Sequence, residues 1–195
     1  MNHADPFASL LSPQELQDAE LVEQALVELA HKRIQAAVEI LQDVISRSPR
    51  NYRVSLEHRG TLYVKFLDRV SHEDYLAAQS VSGGSPRVKW VKGAYPCACM
   101  HLASLMLDAT EYERAIAVLD EGLRLDPGNP TLSCEKAFAL SQLGKHQESL
   151  TTYEQVLENS QNLGPTLRPR ALRGRGYALV DLERYREAEV TYRDS

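Results

Sequence analysis

The chain has 195 residues, 43% hydrophobic and 25% charged, enough for a sizeable core and unlike a disordered composition. Twenty-two Lys and Arg against 27 Asp and Glu leave a net charge of −5, which argues against a surface built to neutralise nucleic-acid phosphates. No apolar run approaches the roughly 18 residues of a membrane span, and the start from Met1 to Pro6 lacks a secretory pattern. Three Cys are too few for a disulfide scaffold, so a cytoplasmic protein that does not engage membranes is expected.

In chain order, residues 1–11 read as a tail. Ser12 suits an N-cap, Pro13 the first helical position, and Glu15 completes a capping box. Leu16, Leu21, Ala25, Leu29 and Ile34 keep a helical period, with a turn around His31-Lys32-Arg33. A separate short helix is expected from Ser71, with Asp74 as its capping partner. Ser82-Gly83-Gly84-Ser85-Pro86 then breaks any helix. Further on, the stretch from Tyr112 to Leu123 recurs in form from His146 to Leu157, at an offset of 34 residues between Ala115 and Ser149. Upstream of each lies a second helical pattern, with Ala103 matched by Ala137 and Met106 by Leu140. A third copy carries Tyr185, Ala188 and Tyr192, with Gly176 upstream, and Asn162-Leu163-Gly164-Pro165 reads as the loop before it.

These residues resemble the tetratricopeptide repeat, which places small residues at its eighth and twentieth positions and proline at its thirty-second. Counting from Pro96, the residues Leu102, Ala103, Tyr112, Ala115, Leu119 and Pro127 fall in register. Small side chains let the two helices of a repeat approach closely, and the proline ends the second helix. An earlier copy fits from Asp18 to Asn51, with Ala25, Ala37, Leu41 and Pro49 in place. The resemblance implies an all-α, right-handed helical-repeat solenoid of four to five antiparallel helix pairs over residues 12–195. An irregular segment covers about 68–95. The unit from Arg53 allows two readings: a degenerate repeat with a loop insertion, using Leu56, Gly60 and Tyr63, or a hairpin suggested by the β-branched and aromatic residues from Thr61 to Phe66. The last repeat is incomplete. This suggests either a fragment of a longer protein or an end that docks on a second chain, including a homo-oligomer.

In this family the first helices of successive repeats line a concave groove that binds a peptide or helix of a partner protein. Carried onto matching positions, the groove would present Cys97, Met100, Ser104, Leu107 and Asp108, then Thr131, Cys134, Phe138, Ser141 and Gln142, and finally Arg170, Arg173, Tyr177, Val180 and Asp181. Met100 and Phe138 could equally pack between helices. Arg168, Arg170, Arg173 and Arg175 form the densest positive cluster. They suit either an acidic partner segment or a solvated face paired with Glu183 and Glu187.

Cys97, Cys99 and His101 briefly suggest a metal, but Cys99 leaves the shared helix face and no second cluster supplies four ligands. Neither a Gly-x-Ser-x-Gly elbow nor a phosphate-cradling loop nor His-Glu-x-x-His occurs. The expectation is therefore a non-enzymatic interaction module without metal or cofactor. Two other readings are a dedicated cytoplasmic chaperone resembling the helical-repeat chaperones of type III secretion, and a regulatory or targeting fragment of a larger enzyme.

Overall fold

A computed structural model describes residues 10–81, 87–159 and 163–195. Residues 1–9 of the expected tail, the breaker from Ser82 to Pro86 and Asn162 lie outside the described residues. Helix α1 spans Pro13–Ala30. Ser12 caps it by accepting the Glu15 N–H at 3.0 Å, and Pro13 occupies the first turn, where a missing N–H costs nothing. Helix α2 (Ile34–Ser46) folds back on α1 through the predicted short turn.

After α2 the chain leaves the repeat pattern and builds a small mixed α/β unit. Strands β1 (Ser55–His58) and β2 (Thr61–Val64) pair antiparallel across Arg59-Gly60, whose φ values of 49° and 70° make the two-residue turn that matches strand twist. Helix α3 (Arg69–Val81) then carries the chain to β3 (Arg87–Trp90), which pairs parallel with β2 in the sheet order β1-β2-β3. The reading of residues 53–67 as a degenerate first helix is therefore corrected. The β-branched and aromatic stretch from Thr61 to Val64 forms a strand of the hairpin, the other of the two readings, and the all-α solenoid carries a three-stranded insertion.

The solenoid then resumes as though uninterrupted. Helices α4 (Tyr95–Asp108) and α5 (Tyr112–Leu125) form the next pair, and α4 packs on both α1 and α2. Two further pairs follow: α6 (Pro130–Gln142) with α7 (His146–Asn159), and α8 (Leu167–Asp181) with α9 (Tyr185–Arg193). Small residues sit at the helix contacts as the repeat requires. Ala25, Ala37, Ala103 and Ala115 are wholly buried, and Ser149 donates to the Ala137 carbonyl at 2.8 Å.

All four pairs turn at the same repeat position. Lys32, Thr110, Gly144 and Glu183 have φ of 62°, 60°, 74° and 59°. The next N–H in each case returns to the carbonyl five residues earlier: Arg33 to Glu28, Glu111 to Met106, Lys145 to Leu140 and Arg184 to Leu179, at 2.8 to 2.9 Å. This is the left-handed helix stop that satisfies otherwise orphaned carbonyls. Only one of the four positions is glycine, so residue type alone conceals the motif.

Two buried carboxylates tie α1 to later parts of the chain. Glu15 accepts hydrogen bonds from Tyr52 Oη at 2.7 Å, Lys65 Nζ at 2.8 Å and the Ala94 N–H at 3.4 Å. Asp18 accepts from Arg47 at 2.6 Å and from Tyr95 Oη at 3.0 Å. The capping box is thus half formed: Ser12 caps the helix, while the Glu15 carboxylate turns inward. A charge so buried survives only when paired and hydrogen-bonded, and each carboxylate here has several partners. Burial pushes the Lys65 ammonium below its ordinary range, and the bond to Glu15 opposes that shift.

Helix α3 also departs from its expected cap. Asp68 and Ser71 cap reciprocally, the Ser71 N–H donating to Asp68 Oδ1 at 2.7 Å and the Asp68 N–H to Ser71 Oγ at 3.1 Å. Asp74 instead accepts the backbone N–H groups of Thr166 and Leu167, at 3.1 and 3.0 Å, and so caps α8 from across the molecule. Gly164 lies against Asp74 so closely that a Cβ there would stand 2.4 Å from the Asp74 Cβ.

Candidate partner-binding groove

Helices α1, α4, α6 and α8 are the first members of their pairs, and their neighbouring faces form the surface to which the family pattern assigns partner contacts. At the α6–α8 end this surface is aromatic and open. Phe138 is 41% exposed and Tyr177 63% exposed, at equivalent positions of adjacent repeats, and Val180 is exposed one turn beyond Tyr177. Large apolar side chains left in water at repeat-equivalent positions are what a docking surface needs. Tyr177 is steadied by an edge contact with Tyr192 of α9, centroids 5.9 Å apart. Gly176 makes this closeness possible, since a Cβ there would stand 2.5 Å from the Tyr192 ring.

Around these aromatics lie polar groups. Gln142 and Asp181 are exposed, Ser141 donates to Asp181 at 3.5 Å, and Asp181 lies 3.1 Å from His146 Nδ1. On α4, Ser104 turns its hydroxyl back to the Met100 carbonyl at 3.0 Å, Leu107 and Met100 are half-buried against the core, and Asp108 is exposed.

Other residues expected in the groove are withdrawn from it. Cys134 is 1% exposed and packs with Ala137, Tyr153 and Ala171, while burial pushes its thiol up to about 12. Cys97 is 8% exposed because the insertion covers it: its Sγ lies 3.4 Å from the Leu67 carbonyl, and burial pushes this thiol also up to about 12. Cys99 sits in the core beside Gly122, so the sulfurs serve packing. Thr131 lines a separate cleft of about 380 Å³ between the insertion and the start of α6, walled by Val64, Phe66, Tyr75 and Leu167.

The arginine cluster divides. Arg170 bonds Glu135 at 2.6 Å; burial works against its charge, but the adjacent carboxylate outweighs burial and holds the guanidinium above its usual pKa. Arg175 reaches Glu154 at 3.4 Å and Thr191 at 3.1 Å, between helices. Arg168 and Arg173 are exposed and carry no ion pair among the described residues. The partners are thus Glu135 and Glu154, in place of the expected Glu183 and Glu187; Glu187 pairs with Arg184. Sequence spacing along one helix favours local partners, whereas stacked repeats bring acids from the preceding pair closer.

One lining feature has no sequence signal. Phe66 and Trp90 of the insertion meet Val22 and Leu26 of α1 and Cys97 and His101 of α4, closing a pocket of about 220 Å³ at the N-terminal end of the groove. A residue in a β insertion has no place in a repeat pattern, so only the packing reveals it.

Comparison with known proteins agrees with this architecture. Residues 134–194 match the family model of the tetratricopeptide repeat. Among solved structures, repeats of a putative kinesin light chain from Podospora anserina are similar over 96% of this chain and 77% of their own, with 16% identity and a TM-score of 0.59. The tetratricopeptide-repeat domain of Sgt2 from Aspergillus fumigatus is similar over 94% and 88%, with 13% identity and a TM-score of 0.56. MamA from Desulfovibrio magneticus RS-1 is similar over 91% and 72%, with 10% identity and a TM-score of 0.56. No curated protein matches the chain. At such identities the structural likeness concerns the fold. Among the described residues, no helix is long and apolar enough to cross a membrane.

Proposed function

We propose that this chain, whose fold is that of solved tetratricopeptide-repeat structures and whose residues 134–194 match that family's model, holds an extended peptide or a helix of a partner protein in the groove formed by the first helices of its pairs. The exposed Phe138 and Tyr177, on neighbouring helices at equivalent repeat positions, carry this reading. They supply rigid aromatic anchors that lose little conformational freedom on binding, and a scaffold of packed helices keeps them in place. The half-buried Arg170–Glu135 pair and the exposed Arg173 add charge selectivity at one side. Arg173 favours a partner segment with an acidic residue near its anchor.

The test is affinity capture from the native extract with three baits: the unchanged chain, a Phe138→Ala/Tyr177→Ala variant, and a Gln35→Ala control on α2. A partner retained by the first and third baits and lost by the second supports the groove. Equal retention by all three would sink it. Swapping Arg173 to Glu should weaken capture by a smaller factor, about tenfold or less, as expected of an exposed charge.

A further inference from the structure

The pocket at the N-terminal end of the groove combines features that the partner-binding reading does not use. Its walls are apolar and aromatic: Val22 and Leu26 from α1, Phe66 before α3, and Trp90 at the end of β3, 41% exposed. Two carboxylates border it, Glu23 on α1 and Asp68 at the cap of α3. The other charged or titratable side chains that face it, among the described residues, are Lys92, His101 and Cys97. Lys92 bonds Glu23 at 3.1 Å, but both side chains are largely exposed, so that contact is weak and easily exchanged. His101 makes no hydrogen bond among the described residues, and burial pulls its pKa below the ordinary value, which leaves the ring neutral near pH 7. The Cys97 thiol, pushed up to about 12, is neutral as well. Among the described residues, the pocket therefore holds two carboxylates against one ammonium.

We propose that this pocket receives the cationic side chain, lysine or arginine, of a partner peptide lying in the groove. The fit is chemical. A long basic side chain has an apolar stem for the walls and a charged head for the rim. Phe66 and Trp90, whose rings also pack against His72 at 4.9 and 5.4 Å, give the cation aromatic neighbours, and Glu23 and Asp68 offer acceptors that would strengthen as water leaves. Lys92 acts as an internal placeholder on Glu23, giving way when a partner's head group arrives. The inference rests on the groove reading, since the pocket opens between α1 and α4, but it assigns a different end of that groove and the opposite charge preference from Arg173. A partner segment would then be basic toward α1 and acidic toward α8.

The chain has one tryptophan, so intrinsic fluorescence reports on Trp90 alone. The probes are acetylated, amidated alanine pentapeptides with a central arginine or lysine, and counterparts carrying citrulline, norleucine or glutamate. Titrated into the full chain at low salt, the basic peptides should give a saturable Trp90 change, and the other three should bind at least about tenfold more weakly. A Glu23→Gln/Asp68→Asn variant, whose new asparagine side chain can still cap α3, should lose that preference while unfolding at the same temperature. Lys92→Met should bind the basic peptides more tightly, because the placeholder is gone. The proposal is overturned if norleucine binds as well as arginine, if the double variant keeps the preference, or if neither basic peptide saturates below about 10 mM. Because no natural partner enters this titration, silence at Trp90 leaves the Phe138 and Tyr177 result standing. Failure of that capture leaves the pocket to be judged by its own titration.

Discussion

At the N-terminal end, α1 adds charge to its apolar packing: Glu15 and Asp18 are buried and gather Tyr52, Lys65, Arg47 and Tyr95 around them. At the C-terminal end, α7, α8 and α9 meet through missing side chains, with Gly174 under the Tyr153 ring and Gly176 under Tyr192. The contrast reflects the task of each region. A regular repeat buries its apolar face on the next repeat, so small residues at the contact suffice. Three strands of four residues and one helix expose too much of their surface to hold themselves, and a sheet this small needs packing against something else. Lys65 donating to Glu15, and Asp74 accepting the Thr166 and Leu167 amides, fasten the insertion to α1 on one side and to α8 on the other.

The largest expected effect tests the charged end. Lys65→Met leaves Glu15 buried without its counter-charge and should cost about 3–5 kcal/mol in urea unfolding. The pair replacement Glu15→Leu/Lys65→Met should recover part of that loss, because it removes both desolvated charges but leaves Tyr52 Oη and the Ala94 N–H without their acceptor. A loss below about 1 kcal/mol in the single variant would mean that the pair does not hold the insertion.

Next comes the close-packed end. A Cβ on Gly174 would stand 2.2 Å from Tyr153 Cζ, and Tyr153 is buried, so Gly174→Ala should cost about 1–3 kcal/mol by overpacking. Gly176→Ala meets Tyr192 instead, whose ring lies near the surface and can swing aside, so it should cost less. Thermal unfolding of the two variants should reproduce that order. The reverse order would show that exposure does not decide the cost.

The smallest expected effect joins the two regions. Asp74→Ala removes the acceptor for two α8 amides and should cost about 1 kcal/mol. Its signature is local: hydrogen exchange should accelerate at Thr166 and Leu167 while the α4–α5 amides stay protected. Unchanged exchange at both amides would uncouple the insertion from the C-terminal repeats.

Much of this molecule is written in local spacing. Ala103, Ala115, Ala137 and Ser149 stand in the sequence at the interval that lets helix pairs nest, and the structure puts each of them in a buried contact. Ser12 and Pro13 likewise mark the start of α1. The polar partners escape a local reading: Glu15 and Asp74 have side-chain donors within four residues, and Arg170 has no carboxylate that near, yet each bonds to groups 35 or more positions away. Of the residues expected in the groove, Phe138 and Tyr177 are open to solvent, whereas Cys97 and Cys134 are covered, and repeat register alone does not separate the two cases.

The sequence by itself determined the helix pairs, because a 34-residue period of small and apolar residues specifies contacts between near neighbours along the chain. Only the tertiary structure decided that the insertion pairs β3 with β2, which acids the arginines meet, and that Trp90 closes a pocket against α1 and α4. Those outcomes depend on side chains from distant segments sharing a buried volume. Hydrophobic periodicity does not encode which distant segment a charged or aromatic group will meet.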